Sequence, residues 1–542
     1  MVTKPAAEVL EISREDLESL LERVRPSLPE EDFGKLKALV EGLSYLTELI
    51  ADKDTTIRDL RKLLFPLVTE KTREVLDRAG LSDKSQSSAD DKKKPKKSGH
   101  GRNGADAYSG AERVEVPHGQ LMAGDHCPGC EKGRVYAQQD PRVLVRIAGQ
   151  APLHPNAPTS GVLGTPVLTA TVYELERLRC NLCGEIYTAA VPEGAGEEKY
   201  EDTAAAMIAQ LKYGSGMPFY RLEHLQQSLG IPLPAATQWE IVEEAAELIR
   251  PAWEELIRQA AQGEVLHNDD TSVRVLHLAR EPADERTGVF TSGIVSTKPG
   301  WKIALFFSGV KHAGENLAEV LKHRAAGLSA PIRMSDALAR NAPKLGEDVE
   351  LLVANCLAHG RRQFVEVVTN FPEECRHVLE SVGAVYRNDA MAREQNMTPE
   401  KRLRFHQEHS RPIMDKLRSW METQLAERKT EPNSGLGKAI QYMLRHWKAL
   451  TLFLRTAGAP LDNNICERSL KRAILHRKNA LFYKTLNGAQ VGDLYMSLIH
   501  TCELNGANPF DYMTELQRHA EELARNPTEW MPWNYRNRIA AP

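Results

Sequence analysis

Two Cys-x-x-Cys motifs constrain the fold of this chain more than any other feature of its sequence. They are Cys127-Pro-Gly-Cys130 and Cys180-Asn-Leu-Cys183, with 49 residues between them. Each motif can direct two thiolates to one point from a tight turn, and four thiolates complete the tetrahedral shell that Zn²⁺ prefers. Because an all-cysteine shell leaves no open position, we predict a structural zinc site within residues 111–198.

The segment between the motifs has the pattern of β-strands. Apolar and β-branched residues cluster at 143–147 and 167–173, so the zinc module is predicted to be a β module. A redox pair is disfavoured, because no thioredoxin-like pattern of strand and helix surrounds either motif. The other four cysteines lack such spacing and are most simply buried small hydrophobes: Cys356, Cys375, Cys466 and Cys502.

Composition describes an ordinary multidomain globular protein. The chain has 542 residues, 42% of them hydrophobic and 27% charged, and a formal net charge of -4. These values exclude a fibrous repeat and a globally basic nucleic-acid coat. No apolar stretch is long enough to span a bilayer, and no secretory signal begins the chain, so we expect no membrane partner and a cytoplasmic location.

The first 81 residues are predicted to be helical. Between Leu36 and Leu64 apolar residues recur three and four apart, which is typical of a coiled coil and predicts a homodimer or higher oligomer. The alternative is an intramolecular hairpin with residues 13–25. Residues 82–110 carry a KKKPKK run and almost no large apolar side chain, so they are predicted to be a disordered basic linker.

Residues 199–260 have the pattern of three helices with a glycine-containing turn before the third, which begins near Ala235. This arrangement is typical of helix-turn-helix DNA-binding domains, although many other three-helix packings share it. Several glutamates follow on the third helix and would repel phosphates. Only its first turn is therefore expected to approach DNA.

The hydrophobic period changes to that of strands after residue 263. Three strands, a helix, a strand, a helix, a strand and a helix follow, which predicts a multidomain α/β protein with a ribonuclease-H-like catalytic core. Asp269 lies on the first strand and Asp336 ends the fourth. In such a fold acids from separate strands meet at one edge of the sheet. These elements, apart from the helix between the fourth and fifth strands, are predicted at 265–275, 288–295, 302–307, 313–324, 331–336, 350–354 and 358–369.

Carboxylates from several elements suit phosphodiester chemistry. Two Mg²⁺ ions about 3.5–4 Å apart can activate the attacking oxygen and stabilise the leaving one, and hard cations take oxygen ligands. Glu467 offers a third carboxylate, one turn into a helix that Asp462 or Asn463 can cap. By itself, an i, i+4 salt bridge from Glu467 to Lys471 is the simpler interpretation. Basic residues that could follow a phosphate track crowd the same helix: Arg468, Lys471, Arg472, Arg477 and Lys478.

Several segments together resemble the bacterial insertion-sequence-sixty-six family of DDE transposases, and the resemblance covers nearly the whole chain. The most specific is LDNNICERSLKRAILHRKNALF at 461–482. The others, in chain order, are YGSGMPFYRLEHLQQSLGIPLPAATQWE (213–240), LHNDDT (266–271), ANCLAHGRRQFVE (354–366) and LYMSLIHTCELNGANPFDYM (494–513).

The resemblance implies a catalytic triad of Asp269, Asp336 and Glu467 that binds Mg²⁺ or Mn²⁺. It also implies contact with phosphate, or support of the metal ligands, by His359, Arg361 and Arg362. The family usually has Asp-Glu-Thr where this chain has Asp269-Asp270-Thr271. Alternating side chains place the two aspartates on opposite faces, so only one can be a ligand. The core is then divided into 261–370 and 459–505, with an all-helical insertion at 371–458 and a helical tail at 506–542.

The function implied is a DNA transposase that cleaves at the terminal inverted repeats of an insertion sequence and joins 3′ ends to target DNA. Its partners would be DNA, a second copy of the chain and helper proteins encoded by the same element, in the bacterial cytoplasm beside the nucleoid. Two alternatives stay open. One is a transposase-derived DNA-binding regulator without catalysis, and the other is a nuclease that cleaves without joining.

Overall fold

The structure is a computed structural model that describes residues 103–150, 166–278, 286, 288–346 and 350–540, together with 23, 33–35 and 37. All elements described below belong to one compact unit, His100–Pro542. The predicted coiled coil at 1–81, apart from those five helical positions, and linker residues 82–102 lie outside the described residues. Elements are numbered from residue 103.

The last residues of the predicted linker are folded. The Tyr108 side chain is 1% exposed, and the Gly110 N–H donates to Gly230 O at 3.0 Å. Lys199 Nζ lies 5.0 Å from the centre of the Tyr108 ring. The predicted boundary at residue 110 is therefore wrong, because one aromatic residue in a polar segment buries enough apolar surface to attach that segment to the core.

Two small sheets form the cysteine-bearing module. The first has the order β1-β4-β3, with β1 parallel and β3 antiparallel to β4, and the second is the antiparallel sheet β2-β5-β6. Both strands predicted between the motifs are present as β3 and β4. The strands are β1 Glu112–Val116, β2 Val135–Ala137, β3 Arg142–Gly149, β4 Leu168–Leu175, β5 Arg177–Cys180 and β6 Ile186–Thr188.

Three helices follow in the predicted order. They are α1 Asp202–Ala209, extended by a π-helical turn Gln210–Gly214, then α2 Phe219–Ser228 and α3 Ala235–Ala260. Gly230, between α2 and α3, has φ +71°, a conformation that glycine adopts without strain. One face of α3 is buried from Val242 to Ala260. Most of this helix is thus a core element and not a free recognition helix.

A mixed five-stranded sheet forms the centre of the unit. Its order is β10-β9-β7-β11-β12, with antiparallel pairing from β10 to β7 and parallel pairing from β7 to β12. A short strand, β8, pairs with β13 in a separate ribbon. The strands are β7 Val265–Ser272, β8 Val275–His277, β9 Phe290–Lys298, β10 Trp301–Gly309, β11 Ile332–Ser335, β12 Leu352–Asn355 and β13 Tyr483–Thr485.

Two helices accompany this sheet, α4 Ala313–Leu321 before β11 and α5 Leu357–Val367 after β12. The helix predicted between β11 and β12 is absent from the described residues there, which instead contain a 3₁₀ turn at Ala339–Asn341. Side-chain bonds hold this turn against the strand ends: Leu338 N donates to Asp336 Oδ1 at 3.2 Å, and the buried Asn341 side chain donates to the same oxygen.

The predicted insertion is helical throughout its described elements and has its own hydrophobic cluster, which also includes β11 and β12 residues. Helices of the returning core and the tail follow. None of the described helices is both long enough and apolar enough for a bilayer crossing. The helices are α6 Pro372–Glu394, α7 Pro399–His409, α8 Arg411–Ala426, α9 Gly435–Arg445, α10 Trp447–Leu450, α11 Asn464–Ala480, α12 Leu486–Leu504, α13 Pro509–Arg518, α14 Ala520–Arg525 and α15 Tyr535–Ile539.

Helix α12 covers the edge strand β10 through a row of polar side chains. Three residues spaced four apart on α12, and Asn505 directly after it, accept hydrogen bonds from alternate N–H groups of β10. Four helical residues rise about 6 Å and two strand residues about 6.7 Å, so the two repeats match. The edge is therefore closed to pairing with another strand. The bonds are Ser308 N to Asp493 Oδ2 (2.6 Å), Phe306 N to Ser497 Oγ (3.0 Å), Ala304 N to Thr501 Oγ1 (3.1 Å) and Lys302 N to Asn505 Oδ1 (3.1 Å).

We predict that Ser497→Ala lowers the free energy of unfolding by about 1–3 kcal/mol, because it leaves the buried Phe306 N–H without an acceptor. Urea unfolding of the full chain measures this change. Ser419→Ala is the matched control, since Ser419 is exposed on helix α8. Equal stability of the two variants would show that the covering bonds do not stabilise the sheet.

Candidate functional site

The four motif cysteines form one cluster. Their sulfur atoms lie within 4.8 Å of one another, with Cys127 Sγ 3.6 Å from Cys183 Sγ and Cys130 Sγ 3.7 Å from Cys180 Sγ. Four sulfurs at 2.3 Å from a tetrahedral zinc ion would be about 3.8 Å apart. The cluster therefore has the donor set and the spacing to hold zinc.

The surroundings of these sulfurs favour a thiolate at Cys127 and Cys180, whereas burial and the neighbouring cluster thiols raise the pKa of Cys183. Backbone N–H groups point at them: Gly133 N lies 3.3 Å from Cys130 Sγ, and Leu182 N lies 3.3 Å from Cys180 Sγ. The hydrogen bond from the Tyr187 hydroxyl lowers the pKa of Cys127 to about 6. A thiolate is the form that binds a metal.

Asp269 and Asp336 meet at the edge of the central sheet toward which the parallel strands β7 and β11 both run. Asp269 lies on β7, and Asp336 directly follows β11, the parallel neighbour of β7. The side-chain nitrogen of Asn341 lies 2.5 Å from Asp336 Oδ1 and 3.3 Å from Asp269 Oδ1. One buried amide group therefore holds both carboxylates together.

The proximity of these acids changes their ionisation. Burial raises the pKa of Asp269 to about 6, and the negative charges of Asp336 and Asp270 act in the same direction. The Asp270 N–H and Asn341 side chain oppose this shift by donating to the carboxylate. The pair thus concentrates negative charge that a cation would stabilise.

Asp270 points away from this pair. Its Oδ2 lies 2.8 Å from His312 Nδ1 and its Oδ1 lies 3.4 Å from Arg340 Nη2. The alternation expected along β7 is present, and it directs only Asp269 toward Asp336. Asp270 instead joins the end of β7 to the start of α4 and the 3₁₀ turn.

Glu467 lies one turn into α11, since its N–H donates to Asn463 O at 3.1 Å. Its Oε1 is 3.6 Å from His359 Nδ1, and neither atom has a hydrogen-bond partner among the described residues. Cys356 Sγ completes a group of ligand atoms within 4.8 Å. Burial raises the pKa of Cys356 to about 11, so its thiol is protonated at neutral pH and differs in this respect from Cys127.

The three predicted carboxylates are not gathered at that short spacing. Within the described part of the chain, only the two clusters above bring three such ligand atoms within 4.8 Å. Helix α11 nevertheless lies against β7: the Cys466 thiol donates to Gly293 O at 3.3 Å, and Gly293 pairs with Asp269. Among the ion pairs of the described residues, Glu467 pairs with His359 and not with Lys471.

Asn463 fixes the start of α11 against the sheet. Its side chain donates to Asn268 O at 3.1 Å and lies 3.1 Å from His267 Nδ1, while its N–H points at Cys356 Sγ at 3.3 Å. Of the two side chains expected to cap the helix, Asn463 does not do so, because its atoms bond to β7 instead. Asp462 Oδ1 accepts from Asn464 N at 3.1 Å.

The predicted DNA-binding cations divide into two groups. Arg472 donates to Gly214 O at 3.1 Å and pairs with Glu503, and Arg477 donates to Ser272 Oγ at 2.8 Å, so both make internal contacts. The other five are exposed and form no ion pair with the described residues: Arg361, Arg362, Arg468, Lys471 and Lys478.

Sequence reasoning missed Asn341 entirely and did not predict that Asn463 bonds to β7. Asn341 stands in a short loop with no motif around it, so nothing in the sequence distinguishes it. Asn463 belongs to a recognisable Asp-Asn-Asn run. That run indicates a helix start. The partners of the Asn463 side chain lie far away in the sequence and are visible only in the fold.

The fold and these residues define an α/β protein with a carboxylate pair at the edge of a mixed sheet. Residues 199–491, more than half of the chain, match the family model described as Transposase IS66 family. The chain belongs to this family, which confirms the resemblance seen in the sequence.

Curated relatives from Sinorhizobium fredii (strain NBRC 101917 / NGR234) are similar to the chain. The uncharacterized protein y4jD is 28% identical over 345 residues, which cover 61% of this chain and 65% of that protein. The uncharacterized protein y4hP is 26% identical over 384 residues, which cover 68% of each. The matches thus span about two thirds of these relatives.

We predict that the purified chain contains about one zinc ion and that Cys130→Ser lowers this content severalfold, because three thiolates hold zinc less tightly than four. Mass spectrometry of metal content after dialysis measures it. Cys375→Ser is the control, since Cys375 is a buried cysteine outside the cluster. Zinc content unaffected by Cys130→Ser would contradict the assignment.

We predict that Asn463→Ala destabilises the chain by about 2–4 kcal/mol, because it leaves His267 and Asn268 O buried without their partner. Chemical denaturation measures the change. Asn464→Ala is the matched control, as Asn464 is the exposed neighbour. If both variants have wild-type stability, Asn463 does not anchor α11.

Proposed function

We propose that this chain is a DNA transposase that cleaves at the terminal inverted repeats of its element and joins the 3′ ends to target DNA. The observation that carries the proposal is the convergence of Asp269 and Asp336 on Asn341 at the sheet edge, in a chain of a transposase family. Asn463 attaches the Glu467 helix to β7, the strand of Asp269, so Glu467 would be the third carboxylate.

The sheet supports a ribonuclease-H-like core. Three antiparallel strands in chain order are followed by two parallel strands on the other side of the first, which brings the ends of β7 and β11 together. We propose that 261–370 and 459–505 form this core around the helical insertion 371–458. The tail 506–542 continues the helices that cover the sheet.

The donor set fits divalent cations with oxygen ligands. Asp269, Asp336 and Glu467 would hold Mg²⁺ or Mn²⁺, and the buried Asn341 Oδ1 has no hydrogen-bond partner among the described residues. When bound, two such ions activate an attacking oxygen and stabilise the leaving oxygen of a phosphodiester. Burial raises the pKa of Asp269 to about 6, and a bound cation would stabilise the ionised carboxylate.

In the first reaction, a water oxygen forms a bond to phosphorus and the bond to the 3′ oxygen breaks. In the second, that 3′ hydroxyl forms the bond to a target phosphorus and releases a target 3′ hydroxyl. Asn341 would hold the two aspartate carboxylates side by side. His359 Nδ1, 3.6 Å from Glu467 Oε1, would orient the Glu467 carboxylate. Exposed Arg468 and Lys471, on the helix of Glu467, would contact the DNA phosphates.

The remaining regions would recognise DNA and pair its ends. We propose that the zinc module 111–198 and the helix-turn-helix 199–260 bind the terminal repeats. Residues 1–81 would pair two copies, and 82–102 would be a basic tether. Helper proteins from the same element, and a location beside the nucleoid, follow from the family proposal.

We predict that the chain cleaves and joins duplexes carrying the repeats that flank its own gene, in Mg²⁺ or Mn²⁺. Asp269→Asn, Asp336→Asn and Glu467→Gln should each lower both rates at least about 100-fold, because each removes a ligand charge. Gel analysis of labelled products measures both steps.

Glu366→Gln is the control, since Glu366 is an exposed acid on α5. Wild-type rates in all three ligand variants would defeat the assignment. Binding of repeats without cleavage would favour a DNA-binding regulator. Cleavage without joined product would favour a nuclease.

A further inference from the structure

The helical insertion contains a cavity of about 540 Å³ that is strongly basic. It lies between α8 and the segment that includes the end of α9, α10 and the 3₁₀ turn Leu452–Leu454. Its charged lining consists of five cations and one carboxylate: Arg411, Arg418, Arg445, Lys448, Arg455 and Asp415.

The positive charge of the cavity is largely uncompensated. Arg418 pairs with Glu422 at 2.8 Å, outside the lining. The other four cations have no carboxylate within ion-pair distance among the described residues. Such a concentration of cations without ion-pair partners around one cavity attracts an anion.

Hydrogen bonds hold the side chains that form the floor of the cavity. Arg411 Nη2 donates to Leu454 O at 2.8 Å, and Arg455 donates to Thr451 Oγ1 at 3.1 Å and to Lys448 O. Thr451 is 1% exposed. Burial and the nearby charge of Arg411 lower the pKa of Arg455, which is consistent with cations held close together.

The elements that line the cavity pack against the parallel strands of the central sheet. Trp447 lines the cavity and shares a hydrophobic cluster with Met334 of β11, the strand that Asp336 directly follows. Tyr442 is three residues before Arg445 on α9, so the two side chains lie on the same side of the helix, about 4.5 Å apart along its axis. Burial and the negative charge of Asp336 raise the pKa of Tyr442 to about 12. Helices α9 and α10 therefore lie between the parallel strands and the basic cavity.

We propose that this cavity binds a backbone phosphate of the DNA that occupies the catalytic site, which makes the helical insertion a DNA-binding element. The inference rests on the proposed function for the identity of its ligand. Arginine and lysine together suit a phosphate, through directed N–H groups and through charge. Arg445 and Lys448 are exposed, and no side-chain hydrogen bond or ion pair holds them within the described structure, so they are free to reach the ligand.

The test is the salt dependence of DNA binding by the full chain. Fluorescence anisotropy with a labelled 30-base-pair duplex, in calcium or without divalent cations, gives Kd at several NaCl concentrations. The double variant Arg445→Gln/Lys448→Gln should bind about three- to tenfold more weakly at 0.15 M salt. Its slope of log Kd against log salt should fall by about 1 to 2, because phosphate contacts are lost.

Lys416→Gln is the matched control, since Lys416 is an exposed cation on α8 outside the cavity. An unchanged slope in the double variant, or an equal change in Lys416→Gln, would overturn the proposal. So would a polyglutamate peptide that competes as well as DNA of equal charge, because the cavity would then suit an acidic protein. Circular dichroism checks that the variants are folded.

Failure of the catalytic proposal can be distinguished from failure of the cavity proposal. If wild type never cleaves while the double variant shows the reduced slope, the catalytic assignment fails and the cavity stands as a DNA-binding site. If Asp269→Asn abolishes cleavage while the double variant binds with the wild-type slope, the catalytic assignment stands and the cavity proposal fails.

Discussion

The buried Asn463 side chain joins the helix that carries Glu467 to the central sheet. Its partners on β7 lie 195 and 196 residues earlier in the chain. A second bond, from Leu357 N to Leu461 O at 2.9 Å, brings together the two ends of the inserted helices. Closing so long a loop costs little more entropy than closing a short one, so a large helical insertion is compatible with the sheet once these bonds form.

The same sheet depends on hydrogen-bonded polar groups at two places. At its edge strand β10, α12 accepts from alternate N–H groups and closes the edge. At the ends of its interior strands, parallel pairing of β7 with β11 brings Asp269 and Asp336 together on Asn341. The closed edge stabilises the core, and the acids gathered at the strand ends form the candidate site.

Acidic and basic side chains occupy separate regions of a chain whose net charge is close to zero. Asp336 is buried and Asp269 part-buried at the strand ends, while exposed cations occupy α11 and the cavity of the insertion. An enzyme that must hold cations beside a phosphodiester needs both signs within a short distance. The net charge of -4 averages over these regions and does not reveal them.

The sequence by itself determined the parts that local pattern and spacing encode. These are the four-cysteine cluster, the helices from 202 to 260, the strands of the central sheet and the family. It did not reveal that Tyr108 ends the linker, that a 3₁₀ turn replaces a helix after Asp336, or that Asn341 joins two carboxylates. Nor could periodicity show that Arg472 and Arg477 bond internally while Glu467 faces His359. Only the tertiary structure decided these points, because each is a contact between segments far apart in the chain, and periodicity reports local geometry but not a side chain's distant partner.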